Sequence, residues 1–163
     1  MKSFYSRVAA LFLVLCLSAC SIWKEKGESI EGTWFIQQPV DAADSNGRPL
    51  VSRYEISFRS DHTFQSAILI ANEVTDNVLG YRFAGDGIFE TKDAQLIRRN
   101  LRQLWHDDNQ GLYSPLTELT SSRPDSQPSI VTFKIANDTM TWTYPPCGPN
   151  ENCIGTQSFR RKH

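Results

Sequence analysis

The stretch Ile130-Val131-Thr132-Phe133-Lys134-Ile135-Ala136, then Asn137-Asp138, then Thr139-Met140-Thr141-Trp142-Thr143-Tyr144, decides the fold class. Val131, Phe133 and Ile135 alternate with Thr132 and Lys134. Met140, Trp142 and Tyr144 alternate with three threonines. Side chains on extended backbone point to opposite faces in turn, so a period of two marks a strand with one buried face. Two such runs joined by two turn-forming residues read as a β-hairpin.

The same signal recurs towards the N-terminus. Tyr54, Ile56 and Phe58 share one face, and Arg53, Glu55, Ser57 and Arg59 share the other. The turn Ser60-Asp61-His62 and the run Thr63–Ile70 complete a second hairpin. Glu31–Gln38 is rich in β-formers and stops at Pro39, and Asp41–Pro49 has a loop composition. Leu79, Tyr81 and Phe83 alternate with Gly80, Arg82 and Ala84. Gly85 and Gly87 then suggest a bulge or sharp bend in one strand. Lys92-Asp93 turns the chain, Gln95–Arg99 returns, and Ile154–Arg160 makes a last strand. About eight short strands joined by short turns predict an all-β domain, either an antiparallel up-and-down barrel or an open sandwich. Residues 100–129 depart from the pattern: Asn100–His106 reads as a turn or two of helix, and Pro115, Pro124 and Pro128 then argue for a long irregular loop.

Gly32-Thr33-Trp34 on the first strand resembles the Gly-x-Trp signature of the lipocalins and their bacterial lipocalin-like relatives. The Asp61-His62-Thr63-Phe64 turn, the glycine-broken middle strand, the late Asn-Asp hairpin and the closing Phe159-Arg160-Arg161 agree with it. The resemblance implies an eight-stranded barrel with Trp34 at its closed end, beneath an arginine from the last strand, here Arg160 or Arg161. A Thr-Asp-Tyr motif in mid-chain and a long helix after the final strand, both features of lipocalins, are missing from this sequence. In such a barrel Tyr54, Phe58, Phe64, Tyr81, Phe83 and Trp142, with Ile56, Ile68, Leu79 and Phe133, face inward and either fill the interior or line room for one small ligand.

At the other end of the sequence, Lys2 and Arg7 precede an apolar run of 10 residues, Val8–Leu17, too short for a permanent membrane span. Leu17-Ser18-Ala19-Cys20 resembles the lipobox of bacterial lipoproteins at all four positions. The resemblance implies cleavage before Cys20, a diacylglycerol on its thiol and acylation of the new amine. Two or more acyl chains anchor a protein firmly, at about 0.8 kcal/mol per buried methylene. Ser21 after the cysteine resembles the pattern sent to the outer membrane. The expected organisation is a signal peptide at 1–19, a lipidated cysteine and tether at 20–30, and a β-domain at 31–163.

Removing 1–19 leaves 144 residues, one ordinary domain, with 17 − 2 = 15 basic against 18 acidic side chains. That balance gives no electrostatic reason to expect a nucleic-acid partner. Cys147 and Cys153, five residues apart in a turn-rich stretch of an exported chain, read as a disulfide.

Catalytic patterns are sparse. His62 falls at a hairpin tip and His163 is the last residue, neither with metal-ligand spacing. Ser21-Ile22-Trp23-Lys24 fits S-x-x-K without its partner motifs. His106-Asp107-Asp108 is the one local cluster that resembles a hard-metal or acid–base site, and its bland reading is a solvated polar loop. The sequence therefore points to no cofactor, metal or catalytic set. It points to an envelope lipoprotein that either binds a small apolar or amphipathic ligand in its barrel or engages a protein partner through a solid one.

Overall fold

A computed structural model describes residues 28–123, 127–146, 148 and 154–163. The expectations placed on the leader, on Cys20 and on Cys147 and Cys153 lie outside the described residues.

The fold is all-β. Among the described residues nine strands form one antiparallel sheet: β1 (Gly32–Ala43), β2 (Pro49–Phe58), β3 (Thr63–Asn72), β4 (Val78–Lys92), β5 (Gln95–Trp105), β6 (Thr120–Ser122), β7 (Ser129–Ala136), β8 (Thr139–Thr143) and β9 (Thr156–Arg161). The pairing order is β4-β3-β2-β1-β9-β8-β7-β5-β6, and β5 also pairs with β4. The ladder of hydrogen bonds therefore returns on itself as a ring. Its narrowest join is β1–β9, where only Trp34↔Arg161 and Phe35↔Arg160 pair. β6 sits on the far half of β5, against Gln103–Trp105.

The hairpin that opened the reading forms as expected. Asn137 and Asp138 take φ of 53° and 56°, the left-handed pair that matches the twist of the flanking strands. Cross-strand partners share a face. Trp34 pairs with Ile56, Phe58 with Phe64, Phe133 with Trp142 and Met140 with Phe159, so these side chains converge on one inner face. Trp34, Ile56, Phe58, Phe64, Phe89, Leu96, Val131, Met140, Trp142 and Phe159 are its buried core. Phe58 meets Phe89 edge-on at 4.8 Å, and Trp142 meets Phe159 at 4.4 Å.

Several details differ from the sequence expectations, each for a physical reason. Asn100–Trp105 is strand: its backbone completes the β4 ladder, and a two-against-one bulge at Leu101, between Asp86↔Arg102 and Gly87↔Asn100, breaks the period of two. β1 runs on through Pro39 because that part of the strand has no β9 neighbour to receive an N–H. β2 starts earlier, at Pro49, so the loop before it shortens to Asp44–Arg48. The long loop shrinks to the region after Trp105, which holds two single-turn 3-10 helices, Asp108–Gln110 and Leu116–Glu118, and then β6.

Gly87 shows why β4 carries glycines. A Cβ there would stand 2.1 Å from the Arg99 carbonyl oxygen and 2.8 Å from the Phe64 ring. The strand therefore approaches β5 and the core more closely than any side chain allows.

Candidate functional site

The two ends of the ring differ. One end is plugged. Trp34 is fully buried there, and its indole N–H donates to the Ile30 carbonyl at 2.7 Å. The Arg161 guanidinium lies 4.1 Å from the indole centroid and donates to the carbonyls of Glu31 (2.8 Å) and Ser29 (2.9 Å) and to Asp138 (3.1 Å). Gly32, with φ of 113°, leaves room for that guanidinium: a Cβ would sit 3.0 Å from Nη1.

The arginine over the tryptophan is Arg161, not Arg160. Trp34 pairs with Arg161, which puts both on the inner face. Arg160 pairs with Phe35 and lies outside, 5.9 Å from that ring. Alternation along β9 makes the choice.

The other end is open. Ile36 and Gln38 of β1, Ser52 and Tyr54 of β2, Ile68 of β3, and Tyr144 and Gln157 beside β8 and in β9 line a cleft of ≈ 320 Å³. Tyr144 Oη donates to Gln157 Oε1 at 3.0 Å. Burial pushes the Tyr144 phenol above the usual tyrosine range, against the opposing charge of Arg98, so it stays a protonated donor. Beneath Tyr54, Arg98 donates to Tyr54 Oη at 3.2 Å and to Ser129 Oγ at 3.2 Å, and stacks 4.3 Å from the Trp142 ring centroid.

The residues expected to face inward separate into three groups. Tyr54 lines the cleft, and Trp142 lies beneath it under Arg98. Phe58 and Phe64 belong to the packed end, and Phe83 is buried against Trp105 at 4.6 Å. Tyr81 is on the opposite face from Phe83. An extra residue, Arg82, sits between Ile68↔Phe83 and Leu69↔Tyr81, and this bulge turns Tyr81 outward to pack on Val51, Leu69 and Ala71.

Tyr81 helps line a second groove of ≈ 420 Å³ on the outer face, with Glu55, Ala67, Leu69, Arg102, Leu104 and Leu116 among its walls. Although larger, it is an outside surface bounded by neighbouring strands and one short helix. The inner cleft gathers side chains from five segments of the ring and has a cation behind it, which is the arrangement ligand sites favour.

The His106 region does not come together as one cluster. His106 is buried, with Nδ1 2.9 Å from Ser114 Oγ and Nε2 2.8 Å from the Gly111 carbonyl. A carbonyl only accepts, so Nε2 donates to Gly111. Ser114 is itself buried and bridges to Tyr81, so the contact pins the loop to β4. Asp107 turns away to cap the Asp108–Gln110 turn, and Asp108 pairs with Arg82 at 2.9 Å.

Sequence reasoning missed Arg98. Its signal was faint: Leu96 and Arg98 share a face in the Gln95–Arg99 run, so a cation stands where the pattern asks for an apolar residue. Comparisons with protein-family models, curated proteins and solved structures found no match for this chain.

Proposed function

We propose that this chain is a lipid-anchored envelope protein whose ring of strands acts as a lipocalin-like up-and-down barrel and holds one small amphipathic molecule in the cleft between Tyr54 and Gln157. The observation that carries the reading is the difference between the two ends. At the Trp34–Arg161 end interlocked side chains fill the interior, and a cleft of ≈ 290 Å³ between the 28–31 segment, the Arg59–His62 turn, Phe89 and Phe133 lies beside them, while at the opposite end ≈ 320 Å³ lies within the ring, with phenol, amide and hydroxyl groups beside Ile36 and Ile68. Ligand pockets start at about 300 Å³, so the occupant is small. The Gly32–Trp34–Arg161 cluster supports the lipocalin-like reading, and the Leu17–Cys20 motif supports the anchor.

The test is titration with the neutral fluorophore N-phenyl-1-naphthylamine. We expect saturable binding that Ile68→Trp, which fills the cleft, abolishes. Binding that survives this substitution at full strength would refute the reading.

A second reading has its own observation. Leu101, Trp105 and Leu116 are exposed around the outer groove, as is Arg102, with Glu55 largely covered beside them, which is the surface a docking protein would use. In that case Leu116→Glu weakens co-purification of a partner and leaves fluorophore binding unchanged.

A further inference from the structure

We infer that the cleft selects an amphiphile with a carboxylate head, held at Tyr54 with the Arg98 charge directly behind it. This rests on the reading of the cleft as a ligand site and adds the chemistry of the ligand.

The reasoning starts from charge balance. Arg53, Arg82, Arg102 and Arg161 each meet a carboxylate. Among the described residues Arg98 meets none. Its neighbours are the Tyr54 and Tyr144 phenols, a serine hydroxyl and an indole ring, all uncharged. Its Nε is buried without a hydrogen-bond partner, and so is the indole N–H of Trp142 on which it stacks. Half-buried and uncompensated, the charge carries a desolvation cost that stacking on Trp142 offsets only in part. Among the described residues no carboxylate balances it, and a negative charge brought by a ligand would.

The cleft supplies the route. Tyr54 Oη accepts from Arg98, which leaves its own O–H free to donate, and Tyr54 is a wall of the cleft. A carboxylate oxygen placed there takes a hydrogen bond from a phenol already polarised by a cation. Gln157 engages Tyr144 through its carbonyl oxygen, so its NH₂ group remains a further donor. Among the described residues that line the cleft none is acidic. Ile36 and Ile68 offer the apolar wall for a short tail.

Isothermal titration decides it, using the protein isolated from cells and held in phosphatidylcholine nanodiscs, with empty nanodiscs as the blank. The probes are octanoate, octanol and octylamine, which share one tail. We expect octanoate to bind at least about tenfold more tightly than octanol, with octylamine weakest, because hydrogen bonds to charged groups are the strong ones. Tyr54→Phe, which keeps the ring, and Arg98→Met, which keeps most of the volume, should each bring octanoate down towards octanol, and a preference that survives both substitutions would overturn the inference. If octanol binds as well as octanoate to the unaltered protein, the carboxylate inference is wrong and the ligand-site reading stands. If none of the three binds, both are wrong.

Discussion

Two adjacent arginines offer a sharp test of the inner-face assignment. Arg161 stacks on a fully buried indole, caps two carbonyls and meets Asp138, with its side chain only 20% exposed. Arg160, one residue earlier, points outward and grazes Phe35 at 5.9 Å. For Arg161→Ala, loss of the cation–π contact costs about 1 kcal/mol at a partly buried site. The two carbonyls lose charge-assisted donors but regain water in part, at about 0.5–1 kcal/mol each. The Asp138 pair, more than half exposed on the acid side, adds little. The sum is about 2–3 kcal/mol. With a urea dependence of about 1–3 kcal/mol/M for a domain this size, the midpoint falls by about 1.5 M. Arg160→Ala should cost under about 0.5 kcal/mol, as surface changes do. Urea unfolding followed by tryptophan fluorescence reads both. Equal losses for the two variants, or a larger loss for Arg160→Ala, would refute the assignment of faces along β9.

The remaining predictions concern separate parts of the chain. Gly87→Ala forces a methyl group against the Arg99 carbonyl and should cost at least about 2 kcal/mol by urea unfolding, with exchange protection lost first at the β4–β5 pairing. Ala94 holds φ of 62° in the β4–β5 turn, so Ala94→Gly should stabilise, by up to about 1 kcal/mol in the same assay. Hydrogen bonding to Arg53 holds the Asp76 carboxyl below its usual value, so its contribution is complete above about pH 4 and is lost as pH falls through the lowered folded-state value. Asp76→Asn should therefore be less stable than the unaltered protein at pH 7, and the gap should close in acid when unfolding is measured across pH 2–7. Cys20→Ser should abolish incorporation of radiolabelled palmitate; label retained on the variant would overturn the lipobox reading.

Where side-chain alternation was uninterrupted, the sequence was legible. Val131–Tyr144 and Tyr54–Phe58 form the strands and faces their periodicity implies, because cross-strand burial enforces a period of two. Reading failed at bulges. The extra residues Arg82 and Leu101 each shift the phase by one, which moved Tyr81 to the other face and gave Asn100–Trp105 a helical look from Leu101 and Leu104. A bulge is set by the partner strand, and the partner is not visible locally. The cleft was half legible. Tyr54 was identified, but Tyr144, Gln157 and Arg98 were not, since polar residues on an inner face resemble polar residues on an outer one until the ring closes. The choice between Arg160 and Arg161 needed the β1–β9 register, which rests on two residue pairs.

The chain enters the domain at its stoppered end: Glu28 accepts from the Asn137 amide, and Ser29 and Glu31 are clasped by Arg161. The cleft lies at the far rim. A molecule moored by residues ahead of Glu28 would thus present its mouth outward, away from the leaflet that holds it. Cargo would then be traded with the aqueous gap or with an opposing surface, and the eight residues from Cys20 to Gly27 would set how far across that gap it can reach.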